Sequence, residues 1–193
     1  MKICIFGASG RELDERYYTE AEALGSLIGS GGDGIVFGGG AEGLMGACAR
    51  GVHAAGGDIV GIAPRFFDEP GILYDKCSRM IFTDTMRERK QRMQEESDAC
   101  IVLPGGIGTL EEFFEILTLK QLGRDDRAIV LLNTLGAHDA MLRMLEELAE
   151  RRFMSKNCLS LYFVADTPAQ AMDYLAHYVP QKGSIRRLED YNK

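Results

Sequence analysis

Arg89 lies in the run Met86-Arg87-Glu88-Arg89-Lys90-Gln91-Arg92-Met93. In a helix, positions 86, 89, 90, 93 and 97 share one face. Met86 and Met93 mark that face as the buried one, so Arg89 and Lys90 interrupt it. A solvated face explains Arg87, Glu88, Gln91 and Glu95 but explains Arg89 poorly. A half-buried guanidinium needs an anion beside it, because an unpaired buried charge is costly. A phosphate would serve, and so would Glu112. Glu112 admits two readings. Thr109-x-x-Glu112 matches a capping box, in which Glu at N3 folds back onto the N-cap amide. Alternatively, the carboxylate faces a ligand near a helix N-terminus. There the helix dipole favours the anion and lowers its pKa. Such a group is a base or a stabiliser of positive charge, and a poor general acid.

Three glycine-rich loops accompany these side chains. Glycine supplies 23 of 193 residues, about 12% against a usual ~7%. Thirteen of them fall between Gly29 and Gly61. The first loop is Gly7-Ala8-Ser9-Gly10, where backbone N–H groups and the Ser9 hydroxyl can face an anion, or simply form a tight strand exit. The second runs Gly38-Gly39-Gly40-Ala41-Glu42-Gly43 and formally matches G-x-G-x-x-G. A dinucleotide site would also need an acid at the end of the next strand. Asp58 stands at the start of that strand, and its far end reads Ile62-Ala63-Pro64-Arg65. Gly39 and Gly40 are therefore read as a nucleotide-facing surface without NAD or FAD. The third loop is Pro104-Gly105-Gly106-Ile107-Gly108-Thr109. It joins a buried strand to a helix near Thr109, where free N–H groups and the helix dipole favour a phosphate. No Lys follows the glycines, so this is not a P-loop for a magnesium-bound triphosphate.

The elements that must position these loops alternate. Strands are expected at Lys2–Phe6, Gly34–Phe37, Asp58–Ile62, Arg79–Phe82, Ala99–Leu103, Ala128–Leu132 and Leu161–Val164. Helices are expected at Asp14–Ser30, Gly43–Ala55, Thr85–Ser97, Thr109–Leu122, Gly136–Arg151 and Thr167–His177. Several strands are apolar throughout, as parallel strands covered on both faces are. The pattern implies an α/β fold with a doubly wound parallel sheet and helices on both faces. Ligands of such sheets bind beyond the carboxyl ends of the strands. The stretch Phe66–Ser78 has no clear period and reads as a loop or short helix beside that crevice. One domain is expected over residues 1–180, with a polar tail over 181–193. The helix Leu110–Leu122 is apolar nearly all round, which implies burial on both sides, within the chain or in a homodimer.

Bulk composition excludes several classes. A formal charge of −7 without a basic block argues against nucleic acid as a partner. No apolar run reaches a membrane span, and the N-terminus enters a strand at once, so neither a membrane partner nor a secretory leader is expected. Five scattered cysteines read as reduced thiols of a cytoplasmic protein. His53, His138 and His177 form no metal signature. Neither a metal nor another cofactor is expected.

Met86-x-x-Arg89-Lys90 followed by Pro104-Gly105-Gly106-x-Gly108-Thr109-x-x-Glu112 resembles the double signature of the LONELY GUY (LOG) family. These are cytokinin riboside 5'-monophosphate phosphoribohydrolases, often mislabelled lysine decarboxylases. The similarity extends through Phe37–Gly46, Gly56–Pro64, Ser97-Asp98-Ala99, Gln121-Leu122-Gly123 and Leu132-Asn133, over roughly residues 1–155. It implies a Rossmann-like fold, a homodimer, and hydrolysis of the N-glycosidic bond of a nucleoside 5'-monophosphate. It implies that Arg89 and Glu112 are catalytic. It also implies that Lys90, the loop Gly106, Ile107, Gly108, Thr109, Leu110 and Glu111, and Thr118 contact the substrate. Gly105, Ser9, Gly39, Gly40 and Met86 join that set. The chain departs from the pattern at Gly7-Ala8-Ser9-Gly10, where many relatives have Cys-Gly-Ser-Ser. It also departs at Leu119 (a common Trp) and at Gly136-Ala137-His138 (a common Gly-Tyr-Tyr). Glu69 is the nearest counterpart of a further substrate-contacting Glu. For the acid that protonates the leaving base, the choices are water and Asp98. The rival reading is a protein of the same fold that binds a nucleotide or phosphorylated pterin without hydrolysing it. A pyridoxal-phosphate decarboxylase would need a Schiff-base Lys with an acidic partner for the ring nitrogen, and no such set is assignable.

Overall fold

The computed structural model describes residues 1–180, and the tail expected at 181–193 lies outside the described residues. Chain order is β1 (Lys2–Phe6), α1 (Glu15–Ser30), β2 (Gly34–Phe37), α2 (Gly43–Ala54), β3 (Asp58–Pro64), β4 (Arg79–Thr83), α3 (Met86–Glu95), β5 (Ala99–Val102), α4 (Ile107–Gln121), β6 (Ala128–Leu132), α5 (Asp139–Glu150), β7 (Phe163–Ala165) and α6 (Pro168–His177). The strands form one sheet in the order β4-β3-β2-β1-β5-β6-β7, every neighbouring pair parallel. The fold is α/β and Rossmann-like, as the alternating pattern implies.

The apolar strands explain the layering. β1, β2, β5 and β6 are buried on both faces, so successive side chains feed two separate cores. Ile3 and Ile5 join Leu24, Ile28, Leu44 and Val52 beneath α1, α2 and α6. Cys4 and Phe6 join Met93, Phe113, Ile116 and Leu145 beneath α3, α4 and α5. Strand order reverses at β1, whose neighbours are β2 and β5. That reversal opens a crevice at the carboxyl edge, where the loops after β1, β2 and β5 converge.

Several boundaries differ from the sequence reading for local reasons. α3 is capped by Thr85, whose Oγ1 accepts the Glu88 N–H at 3.1 Å, while Glu88 accepts the Asp84 N–H at 2.9 Å. The comparable Thr109-x-x-Glu112 pattern makes no cap, because α4 begins two residues earlier with Gly106 at its N-cap. α5 begins at Asp139 rather than Gly136, since Leu135 is left-handed (φ 55°) and interrupts the helix. Met86 does not belong to the buried face of α3: it is 42% exposed, whereas Met93 is fully buried. α4 is buried on one side only, through Phe113, Ile116 and Leu117, and Leu122 is 51% exposed. No helix among the described residues is long and apolar enough to cross a membrane.

α1 and α2 pack backbone to backbone at Gly25, where an added Cβ would sit 2.0 Å from the Cys48 carbonyl oxygen. Neither helix can yield without losing core contacts on the sheet. Gly25→Ala is expected to destabilise the fold by about 1–3 kcal/mol, the usual cost of overpacking. In urea unfolding this appears as a lower midpoint with an unchanged slope.

Candidate active site

The three glycine loops meet at the crevice beside β1. They enclose a cleft of about 710 Å³ with α3 and the segment after β3 as its other walls. The first and third loops are tied by Ala8 N–H donating to the Pro104 carbonyl (3.0 Å). The first and second are tied by Leu44 N–H donating to Ala8 (2.8 Å). The segment after β3 is pinned to the second loop by Ala41 N–H to Ile72 (2.9 Å) and Tyr74 N–H to Gly39 (2.8 Å). These bonds fix the loops relative to one another before any ligand arrives.

Arg89 and Glu112 form the buried floor, only 7% and 9% exposed. Arg89 Nη1 donates to Glu112 Oε1 at 3.2 Å, and its Nε donates to the Ile62 carbonyl at 3.2 Å. The guanidinium lies against the second loop, where a Cβ on Gly38 would stand 2.0 Å from Nη2. Only a residue without a side chain leaves that space. Glu112 sits in the second turn of α4. Burial raises its pKa, and the Arg89 charge opposes the rise without cancelling it. The expected lowering by the helix dipole is thus overturned: desolvation of the carboxylate outweighs a dipole whose influence fades beyond the first turn. Above this floor, α4 starts without a side-chain cap, so the N–H groups of Ile107, Gly108 and Thr109 have no intrahelical acceptor.

Most of the residues singled out in the sequence line the cleft. Ser9, Gly40 and Met86 do, as do Gly106, Ile107, Gly108, Thr109 and Glu111 beside Arg89 and Glu112. Others lie elsewhere. Lys90 turns to α4 and pairs with Glu111 and with Glu115 at 2.8 Å. Thr118 is exposed farther along α4, its hydroxyl donating to the Phe114 carbonyl at 2.7 Å. Gly105 packs beneath the Thr109 side chain, and Gly39 turns towards Leu73 and Met80. Leu110 is half-buried against the α3–α5 side of the sheet. Glu69 is exposed and does not line the cleft. Asp98 stands before β5, at the opposite edge of the sheet, where it accepts the Lys2 N–H at 2.7 Å. It cannot protonate a base in the cleft, for the reason that also removes Asp58. Four lining residues went unassigned in the sequence: Met45, Phe67, Ile72 and Leu73. Met45 stands in the first turn of α2, and the only signal for the other three is the apolar content of an aperiodic stretch next to a polar site.

Comparison with known proteins gives the chain a family. The family model described as "possible lysine decarboxylase" matches residues 45–175. Two cytokinin riboside 5'-monophosphate phosphoribohydrolases of Arabidopsis thaliana, LOG2 and LOG3, are 32% and 33% identical to the chain. Each alignment covers 93% of this chain, with 84% and 83% of the relatives. The chain belongs to the LOG family. Among solved structures, the molybdenum cofactor carrier protein of Chlamydomonas reinhardtii superimposes with a TM-score of 0.70 at 23% identity, over 91% of this chain and 95% of that one. The molybdenum cofactor binding protein of Rippkaea orientalis does so at 0.68 and 22%, over 91% and 94%. At that identity they share the fold. In this LOG-family chain the signature residues Arg89 and Glu112 are the two that touch on the cleft floor.

The raised pKa of Glu112 has a thermodynamic sign. The folded protein holds that proton more tightly than the unfolded chain does. The associated stability is full below the ordinary Glu range, near pH 4.3, and drains away as pH rises through the higher folded value. Urea unfolding is therefore expected to show wild type losing stability relative to Glu112→Gln as pH climbs from about 4 towards 7. A difference that stays flat over this range contradicts the assigned desolvation.

Proposed function

We propose that this protein hydrolyses the N-glycosidic bond of a nucleoside 5'-monophosphate, an adenylate with or without an N6 substituent, to free base and ribose 5-phosphate. The observation that carries the reading is the buried Arg89–Glu112 pair on the floor of a cleft whose rim is an uncapped helix start. Family membership supports it, since the curated relatives carry the name of that activity.

The 5'-phosphate rests on the N–H groups of Gly106–Thr109, with the Ser9 hydroxyl opposite, and draws on the positive end of α4. Binding there fixes the ribose without involving the bond that breaks. As the C1'–N bond lengthens, positive charge builds on the sugar ring. The Glu112 carboxylate stabilises it from a site screened from water, where its field is least diluted. Water attacks C1' and passes a proton to Glu112, while the base leaves with the bonding electrons and takes a proton from solvent. Arg89 keeps Glu112 in place and in its anionic form until that transfer. Glu112 is desolvated enough to accept the proton readily, which a carboxylate of ordinary pKa would do less well.

Phe67, Ile72, Leu73 and Met86 also line the cleft and supply apolar surface suited to an alkyl group on the base. Lys90, outside the cleft, pairs with Glu111, which lines it, and so draws that acid away from an incoming phosphate. The exposed side of α4, with Leu122 and the half-buried Phe114 and Leu119, is the seam of a homodimer. The five free thiols suit a reducing cytoplasm.

Purified protein incubated with AMP and with N6-isopentenyl-AMP is expected to release free base and ribose 5-phosphate from each. Glu112→Gln and Arg89→Ala should each lower the rate by roughly 10²-fold or more. Release that survives intact in both variants would sink the assignment. Tight nucleotide binding with no turnover by wild type would instead favour a carrier of the same fold. Phe67→Ala and Ile72→Ser should erode kcat/KM for the isopentenyl substrate more than for AMP, by about tenfold for each buried apolar contact of ~1.4 kcal/mol lost. Light scattering at micromolar concentration should give twice the chain mass.

A further inference from the structure

α3 carries Arg89, yet little apolar packing holds that helix to the sheet. Of its ten residues only Arg89 and Met93 are buried. Its seat therefore depends on polar contacts at its two ends. Near the start, Thr85 caps the helix, and Lys90 reaches across to Glu111 and Glu115 of α4. At the far end, Glu96 pairs with Arg79 of β4. A second cation arrives there from beyond β5. This is Arg127, which stands directly before β6 and does not line the cleft.

The Arg127 guanidinium is shared between two partners. Nε donates to Asp125 Oδ1 at 2.9 Å, and Nη2 pairs with Asp125 Oδ2. Nη1 donates to the Gln94 carbonyl, to the Ser97 carbonyl at 3.0 Å and to Ser97 Oγ at 2.9 Å. Ser97 Oγ in turn donates to the Met93 carbonyl at 2.8 Å. One arm of the fork thus holds carbonyls at the end of α3, and a carboxylate fixes the other arm. The Asp125 side chain is 9% exposed and that of Arg127 21%. Withdrawing such a pair from water costs hydration, so its retention calls for a reason.

What the fork grips supplies one. Gln94 follows Arg89 by five residues, roughly 7.5 Å along the helix axis. So short a piece of helix moves as one body, and the seat of its last turn sets the seat of Arg89. Glu112 belongs to α4 and does not move with α3. The 3.2 Å contact between the two charges therefore depends on where α3 is held.

We propose that Arg127 is a positioning residue for the Arg89–Glu112 pair: its two-armed bridge from Asp125 to the last turn of α3 sets how far that helix carries Arg89 towards Glu112. A catalytic use of the pair rests on the activity proposed above, and the positioning does not. When α3 recedes, Glu112 stays buried but loses part of the opposing charge of Arg89 and Lys90. Glu111 remains beside it on α4, and burial keeps the nearby Cys100 thiol of β5 neutral. Glu112 then holds its proton more tightly, and fewer molecules carry the carboxylate near neutral pH. The phosphate loop follows β5 and stays in place, so kcat falls while KM is nearly constant.

Carbon-13 NMR of protein labelled at the glutamate carboxyls follows the Glu112 titration without substrate, and loss of the signal in Glu112→Gln identifies it. Hydrolysis of AMP gives kcat, KM and their pH profiles. Arg127→Lys keeps the charge and loses the fork, so it serves Asp125 or α3 but not both. Arg127→Met loses charge and fork together. In each variant the Glu112 titration is expected to move to higher pH, and the acid limb of kcat to move with it. Near neutral pH, kcat should fall about tenfold at nearly constant KM, as a slightly misplaced catalytic group requires. Gly25→Ala, destabilised elsewhere, should keep the wild-type titration. An unmoved titration in the Lys variant overturns the proposal, because charge alone then suffices, and it does so even where the Met variant fails to fold. An equal shift in Gly25→Ala also overturns it, since lost stability then explains the effect. A wild type that releases no base removes the catalytic reading, and the titration still decides the positioning.

Discussion

The buried ion pair between Arg89 and Glu112 is the constraint around which this site is arranged. Two charges taken out of water lose several kcal/mol of hydration each, and their attraction recovers this only with good geometry and further hydrogen bonds. The surroundings supply those terms one by one. The Ile62 carbonyl takes the Arg89 Nε proton. α3 and α4 bring the two charges to 3.2 Å from opposite sides. Gly38 yields the volume the guanidinium occupies. Removing either partner leaves the other buried and alone, a loss of about 3–5 kcal/mol in comparable pairs. A replacement pair of apolar residues would hold the fold as well or better. The charges are retained at a cost to stability, which is what a functional site looks like from the standpoint of packing.

The rest of the cleft follows from where that pair can be placed. A parallel sheet gathers its strand exits on one edge, and a reversal of strand order leaves a gap there. β3 contributes a carbonyl, β2 a loop without side chains, and β5 the uncapped start of α4. Side-chain caps at α1, α3 and α6 satisfy their first N–H groups locally, through Asp14, Thr85 and Thr167. α4 has Gly106 in that position and leaves its N–H groups to whatever enters. The cleft therefore combines backbone N–H groups and glycines with the apolar side chains of Phe67, Ile72 and Met86.

The order of elements was legible because burial on both faces writes itself as unbroken apolar runs. β1, β2 and β6 have the same limits in sequence and structure. Errors cluster where a tertiary contact overrides a local rule. Thr109-x-x-Glu112 satisfies the spacing of a capping box, yet the glycines ahead of it let the helix start earlier and carry Glu112 into the second turn. The sign of the Glu112 pKa shift depended on how much water reached it, a quantity no local pattern encodes. Met86 matched the spacing of Met93, but the helix start where it stands overlooks the cleft and not the core. The stretch 66–78 was expected beside the crevice, but residues 67, 72 and 73 were not singled out within it, because it is the bridge between Gly40 and Leu73 that sets which of its side chains face the pocket.

The second glycine loop shows how a motif can be matched for the wrong reason. Gly38, Gly40 and Gly43 reproduce the spacing of a dinucleotide fingerprint, in which the glycines permit a tight turn, a close pyrophosphate and close helix packing. In this chain protein atoms claim two of the three positions. A Cβ at Gly38 meets Arg89, and a Cβ at Gly43 (φ 65°) meets the Ala8 carbonyl oxygen at 2.2 Å. Gly38 and Gly40 both line the cleft, but of the three positions it is Gly40 where the space for a Cβ is open. The spacing recurs because both architectures fold a strand into a helix over a crevice. What fills the crevice from the protein side differs: here it is a guanidinium, already occupying the space beside Gly38. The Arg89–Glu112 pair, whose guanidinium stands against Gly38, is therefore the physical reason that this loop does not present the open glycine face of a dinucleotide fingerprint.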